Sequence, residues 1–337
     1  MGVRRELYSC RLEIWGGTFQ FMSSSASHKQ QVSPAINSNE LLIALSGGRL
    51  LDDDYLGKSA MALQAFVMRR ADPFTGEQRV YESKDALPFA EANKLLHPGY
   101  LDLEHGYVRN PDGTYYVACL TDLGTECNGK MIDWWFSHCD NTERYQWWHP
   151  SDHISCEWDE QYYSVMPEVR PFGHYVEHTH KVVEKVGGVT KKLEIVFQRP
   201  SKYFDVSKFA QAGVTACICA RIWSHEAVVG LVAVGHLVHM VRQVGSRSEL
   251  RSRFWLGHVH KTEDPHNLIS SRLINWIGNT FLFRYFKLSD RTADALWLHC
   301  SQEMNSLKSF LPSYYSKELD LAVLRSQEHF DRAPNWL

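Results

Sequence analysis

The stretch that most constrains this chain lies near its C-terminus, over residues 289–312, reading SDRTADALWLHCSQEMNSLKSFLP. It carries the marks of one long helix. Ser289 or Asp290 can cap the start, and Asp294 sits in the opening turns, where the helix dipole favours negative charge. Pro312 is expected to end the helix, because proline cannot donate to the hydrogen-bond ladder. At helical period one face reads Leu296, His299, Cys300, Glu303, Leu307 and Phe310. That face is largely apolar and should point inward, yet it carries a histidine and a glutamate one turn apart. Burying both is costly unless a cation or several donors satisfy the carboxylate. A metal ion does this, and so does a plain His–Glu hydrogen bond. The spacing alone favours the hydrogen bond, since such pairs are ordinary helical neighbours.

The rest of the composition sets bounds on what that helix can close over. A chain of 337 residues makes one large domain or two of ordinary size. With 44% apolar and 22% charged residues it reads as a globular protein. A net charge of −3 gives no reason to expect nucleic acid or an anionic membrane as partner. The aromatic share of 12% suits either a pocket for a flat organic ligand or an aromatic core. Eight cysteines contain no CxxC pair and read as reduced thiols of a cytoplasmic protein. No apolar run reaches membrane-spanning length, and the N-terminus lacks the continuous apolar core of a signal peptide.

Taken in order, residues 1–40 hold a polar tract without periodicity and are expected to be a disordered extension. Residues 41–96 alternate helical hints with turns and read as a small, mainly helical N-terminal part. From residue 97 the character changes. Residues 106–120 form two strand-like runs around Asn110, Pro111, Asp112 and Gly113, a hairpin signal. Residues 131–145 fit one helix, with Trp134, His138, Asn141 and Tyr145 on a shared face. Pro150 stops it, and an aromatic-rich loop then offers His149 or His153 to a pocket. After a longer loop, THKVVEKV at residues 179–186 is a strand with His180, Val182 and Glu184 on one side and lysines on the other. Gly187 and Gly188 make the turn to a partner strand at residues 193–197. Further strands are expected at residues 214–222, 228–242 and 251–260, and a shorter helix at residues 268–282. The outcome is an α+β fold, an antiparallel sheet closed by a long C-terminal helix.

Polar groups from three distant segments thus face one interior. These are His149, His153 or His138 before them, then Glu184, then His299 with Glu303. Two imidazoles and two carboxylates suit zinc. The strings DWWFSHCDNTERYQWWHPSDH, THKVVEKVGG, HMVRQVGSRSELRSRFWLGHV and LHCSQEMNSLKSFLPSYY resemble the 2,4-diacetylphloroglucinol hydrolase and phloretin hydrolase family, in the family's order over about residues 97–315. The resemblance implies a Bet v1-like helix-grip catalytic domain over residues 97–337, behind a smaller N-terminal part. It implies a zinc ion (Zn2+) held by His153, Glu184, His299 and Glu303, with His138 and His149 as rivals to His153, and Glu177 to Glu184. It carries a substrate-contacting role to Tyr145 and to the pocket histidine His239. Where the family has a substrate-binding tyrosine, this chain offers His258. A family asparagine after the first ligand is absent, with Cys156 near its place.

The activity implied is metal-dependent hydrolysis of a carbon–carbon bond between a phloroglucinol-type ring and an acyl group, a retro-Claisen reaction. Glu184 is the candidate catalytic proton donor. The expected partner is a small-molecule acylated polyphenol, with no nucleic acid and no membrane, and a homodimer is left open. A different class of function, a helix-grip carrier of a hydrophobic or polyphenolic ligand, predicts binding without product and without metal.

Overall fold

The computed structural model describes residues 81–262 and 268–331. The expected disordered extension and most of the expected helical N-terminal part lie outside the described residues. The strand signals assemble into one eight-stranded antiparallel sheet. Its strands are β1 (Gly106–Arg109), β2 (Tyr115–Gly124), β3 (His153–Trp158), β4 (Thr179–Val186), β5 (Val189–Gln198), β6 (Val214–Glu226), β7 (Gly230–Val244) and β8 (Arg247–His260). They lie in the order β1-β2-β8-β7-β6-β5-β4-β3. The helices are α1 (Gly129–His138), α2 (Thr142–Trp148), α3 (Leu268–Gly278), α4 (Phe281–Lys287) and α5 (Asp290–Asp331). Helices α1 and α2 carry the chain from β2 to β3 at the far edge. Helix α5 then packs on β1, β2 and β4 and on both of those helices.

Alternation along β2 sorts the two faces of the sheet. Val117 and Cys119 face a core built with Trp135, Cys300, Leu307 and Phe310. Tyr116 and Ala118 face a second cluster, where Leu87, Leu95 and Leu96 cover Val238 and Trp255. Phe310 is fully buried, so truncating it to alanine should cost about 3–5 kcal/mol. The second face also buries charge. Arg251 Nε donates to Glu104 Oε2 at 3.1 Å, and the Nη2 groups of Arg251 and Arg253 also pair with Glu104. Arg242 pairs with Glu249 beside them at 2.6 Å.

Four expectations are corrected. The single helix over residues 131–145 is two helices. Asn141, placed on its face, instead caps α2 by accepting from Arg144 N at 2.9 Å, a role asparagine fills better than a mid-helix position. The loop after His153 begins as strand β3, paired to β4 with His153 opposite Glu184. The helix over residues 268–282 breaks at Thr280, which caps α4 by accepting from Phe283 N. Pro312 does not end the terminal helix, which runs on through it. An internal proline costs about 3 kcal/mol. Phe310, Leu311, Tyr314 and Tyr315 are buried on either side of it, and each such side chain contributes about 1.5–3 kcal/mol, which outweighs the break. The start behaves as expected, with Ser289 Oγ accepting from Thr292 N at 3.2 Å.

No helix among the described residues is long and apolar enough to cross a membrane. The seven cysteines described are all free thiols.

Candidate metal and substrate site

A cavity of about 790 Å³ opens between the inner sheet face and α5. One end of it is polar. Strand β4 delivers Glu184 by simple alternation, with His180 and Val182 on the same side and Lys181 and Lys185 exposed. The turn after β4 brings it close to the helix. Gly187 has φ +61, and a Cβ there would stand 2.7 Å from Ala295 Cβ of α5, so glycine permits both the turn and the approach. Helix α5 then delivers His299 and Glu303 from one face. His153 comes from the first residue of β3, just beyond the turn that leaves α2.

These four side chains meet. His153 Nε2 lies 3.5 Å from Glu303 Oε2 and 4.0 Å from Glu184 Oε2. His299 Nε2 lies 3.9 Å from Glu303 Oε2 and 4.0 Å from Glu184 Oε2. Ligands about 2.1 Å from a tetrahedral divalent cation stand about 3.4 Å apart, so the donor set fits such an ion with a small inward movement. His153, Glu184 and His299 each offer a ligand atom within 4.8 Å of the others.

The outer contacts aim the imidazoles. His153 Nδ1 donates to the Tyr145 carbonyl at 2.8 Å, which leaves the Nε2 lone pair pointing into the cluster. That Nε2 is buried and has no hydrogen-bond partner. An orphaned buried acceptor next to two carboxylates asks for a cation or a proton. His299 Nδ1 is held by Asp152 Oδ2 at 3.1 Å, the carboxylate–histidine arrangement that commonly backs a metal ligand. Tyr145 stacks on His153 at 3.8 Å and donates its hydroxyl to Glu184 Oε2 at 2.7 Å.

The electrostatics agree with this division of labour. Burial, with help from His299 and His149, pulls His153 well below the usual histidine range, so its ring is neutral. Burial opposes charge on His299, but the Asp152 hydrogen bond and the two glutamates outweigh it and raise its pKa to about 9. Burial pushes Glu303 up to about 8, against the pull of His299 and with the repulsion of Glu184. A buried carboxyl raised in this way holds a proton at neutral pH unless a cation takes its place.

The rival histidines and the rival glutamate take other places. His138 is bonded to the Trp134 carbonyl at 2.8 Å and stacked on that ring, away from the cluster. Glu177 is half-exposed and paired with Arg199. His149 stacks on His299 at 4.7 Å and forms a second possible ligand group with Asp152 and His299. Asp152, a member of that group, contacts His299 Nδ1, whereas Nε2 of the same ring lies toward Glu184 and Glu303.

Of the residues expected to touch substrate, Tyr145 and His239 line the cavity. His239 is fixed by a 2.7 Å bond between Nδ1 and Ser252 Oγ, and burial lowers its pKa to about 3, so it is a neutral imidazole. His258 is not brought to them. Leu256 lines the cavity, and counting by twos would put His258 there also. Gly257, at φ +95, breaks the alternation, and the register with β7 shifts at this point. Gly257 and Val259 therefore face the cavity, while His258 turns to Phe89 and His236.

Two residues escaped the sequence reading. Asp152, next to His153, had no pattern to mark it. His180 was counted on the inward side of β4 without a role. It lines the cavity, stacks on Trp158 at 4.2 Å and leaves Nε2 without a partner. Alternation on β4 was the available signal.

Comparison with known proteins matches residues 87–316 to the family model described as the DAPG hydrolase PhiG domain. A 2,4-diacetylphloroglucinol hydrolase of a Pseudomonas species is 28% identical over 236 residues, covering 67% of this chain and 75% of that protein. The 2,4-diacetylphloroglucinol hydrolase of Pseudomonas protegens (strain DSM 19095 / LMG 27888 / CFBP 6595 / CHA0) is also 28% identical over 236 residues, covering 67% of this chain and 72% of the relative. With its sheet, α1, α2 and the inner part of α5 all inside the matched region, the chain belongs to the DAPG hydrolase PhiG domain family.

Proposed function

We propose that this protein is a zinc-dependent hydrolase that cleaves the carbon–carbon bond between a phloroglucinol-type ring and an acyl group. The observation that carries the reading is the meeting of His153, Glu184, His299 and Glu303, with His153 Nε2 buried and unpartnered. These four residues would hold the ion. When bound, zinc supplies a Lewis acid and makes water acidic near neutral pH. The curved sheet gripped by one long helix is read here as a Bet v1-like helix-grip fold.

Overall, the aryl ketone and one water yield the deacylated ring and a carboxylic acid. A phloroglucinol-type ring can take a proton on the carbon that bears the acyl group, giving a keto tautomer. The acyl group then lies β to a carbonyl. Water adds to the acyl carbon, the carbon–carbon bond breaks, and its electron pair returns to the ring as an enolate that re-aromatises.

The protein's part is to hold and to move protons. Glu184, once it has taken up a proton, is the group assigned to protonate the ring carbon, and its Oε2 accepts from the Tyr145 hydroxyl at 2.7 Å. Tyr145 keeps that carboxylate in place and meets a ring hydroxyl. His239, neutral and fixed by Ser252, accepts from or donates to a second hydroxyl. Trp148 and Phe136 wall the inner end against bulk water. His258 has no part in this reading.

The carrier reading draws on the size of the cavity, which would suit storage of a hydrophobic ligand as well as turnover. It leaves the orphaned His153 and the paired glutamates without a purpose. The test is to incubate the purified protein with diacetylphloroglucinol and follow monoacetylphloroglucinol and acetate by chromatography. Their appearance in equal amounts supports the hydrolase. Bound, unchanged ligand supports the carrier.

A further inference from the structure

The cluster occupies only one end of the cavity. Along α5 the lining residues are Arg291, Thr292, Ala295, Leu296, His299 and Glu303. Twelve residues of helix separate the first from the last, so the cavity follows α5 for about 18 Å. At the inner end Tyr145, His180, Glu184 and His239 join the helix pair, while Arg284, Lys287 and Arg291 line the cavity around the start of α5. Between that inner end and the mouth the walls are Leu193, Ile195, Val232, Val234, Leu296 and Ile277, among other aliphatic side chains. The lining also holds two exposed valines, Val228 at 95% and Val189 at 56%, beside the exposed Lys287 and Arg291. A volume of about 790 Å³ lies in the upper part of the range for organic ligand sites, and a single ring with two-carbon acyl groups would fill its inner end alone.

A polyhydroxylated ring needs several convergent polar partners, and the inner end gathers imidazoles, carboxylates and a phenol for it. An apolar tail needs none, and the walls between the inner end and the charged side chains at the start of α5 are aliphatic. Resting on the hydrolase reading above, we propose that the substrate is an acylphenol whose acyl chain is extended and apolar, its ring seated at the cluster and its chain running along α5 toward the mouth. His180, whose Nε2 is unpartnered and which burial keeps neutral, adds a third ring contact at the inner end.

Two measurements separate this inference from the reading under it. Binding of a resorcinol series with lengthening alkyl chains, followed by quenching of tryptophan fluorescence, does not depend on cleavage. Affinity should rise about fourfold per added methylene until the chain reaches the mouth. A flat or falling series overturns the extended-chain assignment, even if diacetylphloroglucinol is cleaved. Turnover of acetyl-, butanoyl-, hexanoyl- and octanoylphloroglucinol should likewise raise kcat/KM with chain length. Val234→Phe, which narrows the outer cavity, should remove that rise and leave acetylphloroglucinol turnover within about twofold. Equal loss for every chain length in a folded Val234→Phe protein would contradict the assignment. If rising affinity is found but no compound of the series is cleaved, the long apolar site stands and the hydrolase reading fails.

Discussion

The sheet buries ionisable side chains on both of its faces, and the two clusters are built to opposite rules. On the outer face Glu104 lies between Arg251 and Arg253, and Glu249 is matched by Arg242. Each carboxylate there has a permanent cation against it. On the inner face Glu184 and Glu303 meet imidazoles and the Tyr145 hydroxyl but no guanidinium, and one of those imidazoles, His153, is held neutral. The outer cluster is complete as it stands. The inner one is short of positive charge and has an unpartnered lone pair. Buried charge that is fully matched is a structural device. Buried charge left unmatched at the end of a cavity is the mark of a site that binds something.

That contrast can be broken by experiment. The largest effect is expected from His299→Ala, which should abolish tight metal binding and reduce acyl cleavage to background while the protein stays folded. Retained activity in that variant would remove the distinction between the clusters. Glu104→Ala should do the reverse. It leaves two buried guanidinium groups uncompensated, and stability measured by denaturant titration should fall by about 3–5 kcal/mol with metal content unchanged.

The clusters should also respond to pH with opposite signs. Glu303 rises from 4.5 to about 8 and His299 from 6.5 to about 9. Without metal the native state therefore holds more protons than the unfolded chain across this window, and stability falls as pH rises. Above about pH 7, where the depressed histidines are neutral in both states, thermal melting of chelated protein should drop up to about pH 9, and metal should flatten the slope. Glu104 is held below its usual value because its two arginines outweigh the cost of burying it. Its contribution is present at neutral pH and is lost as pH falls through that lowered value. A chelated protein whose melting temperature rises with pH over the neutral range would contradict the inner assignment. Asp152→Asn, which weakens the support of His299, should reduce metal affinity by about 10–100-fold, read by competition with a chromophoric chelator.

Local patterns made much of this fold readable. Strand β4 occupies the residues that alternation marks, with Gly187 and Gly188 at the turn, and His299 and Glu303 share the face that helical period assigns them. What local patterns do not carry is which distant elements meet. His153 and Glu184 are cross-strand neighbours, and nothing in either segment specifies the other; only the resemblance to a family brought them together. The misreadings share a cause. Asn141 looks like one more helical residue until its side chain caps a new helix. Pro312 looks like a stop until aromatic burial on both sides carries the helix past it. Gly257 looks like an ordinary strand residue until its positive φ sends His258 to the other face. In each case one feature, a local cap, buried aromatic packing or a positive φ, overrides the periodic pattern of the neighbouring residues.

The most direct test of the central claim is the metal content of the purified protein, by mass spectrometry of the elements, paired with diacetylphloroglucinol hydrolysis before and after chelation. The account predicts about one zinc per chain, loss of hydrolysis on its removal and recovery when zinc is returned. Full hydrolysis by thoroughly metal-free protein would contradict it.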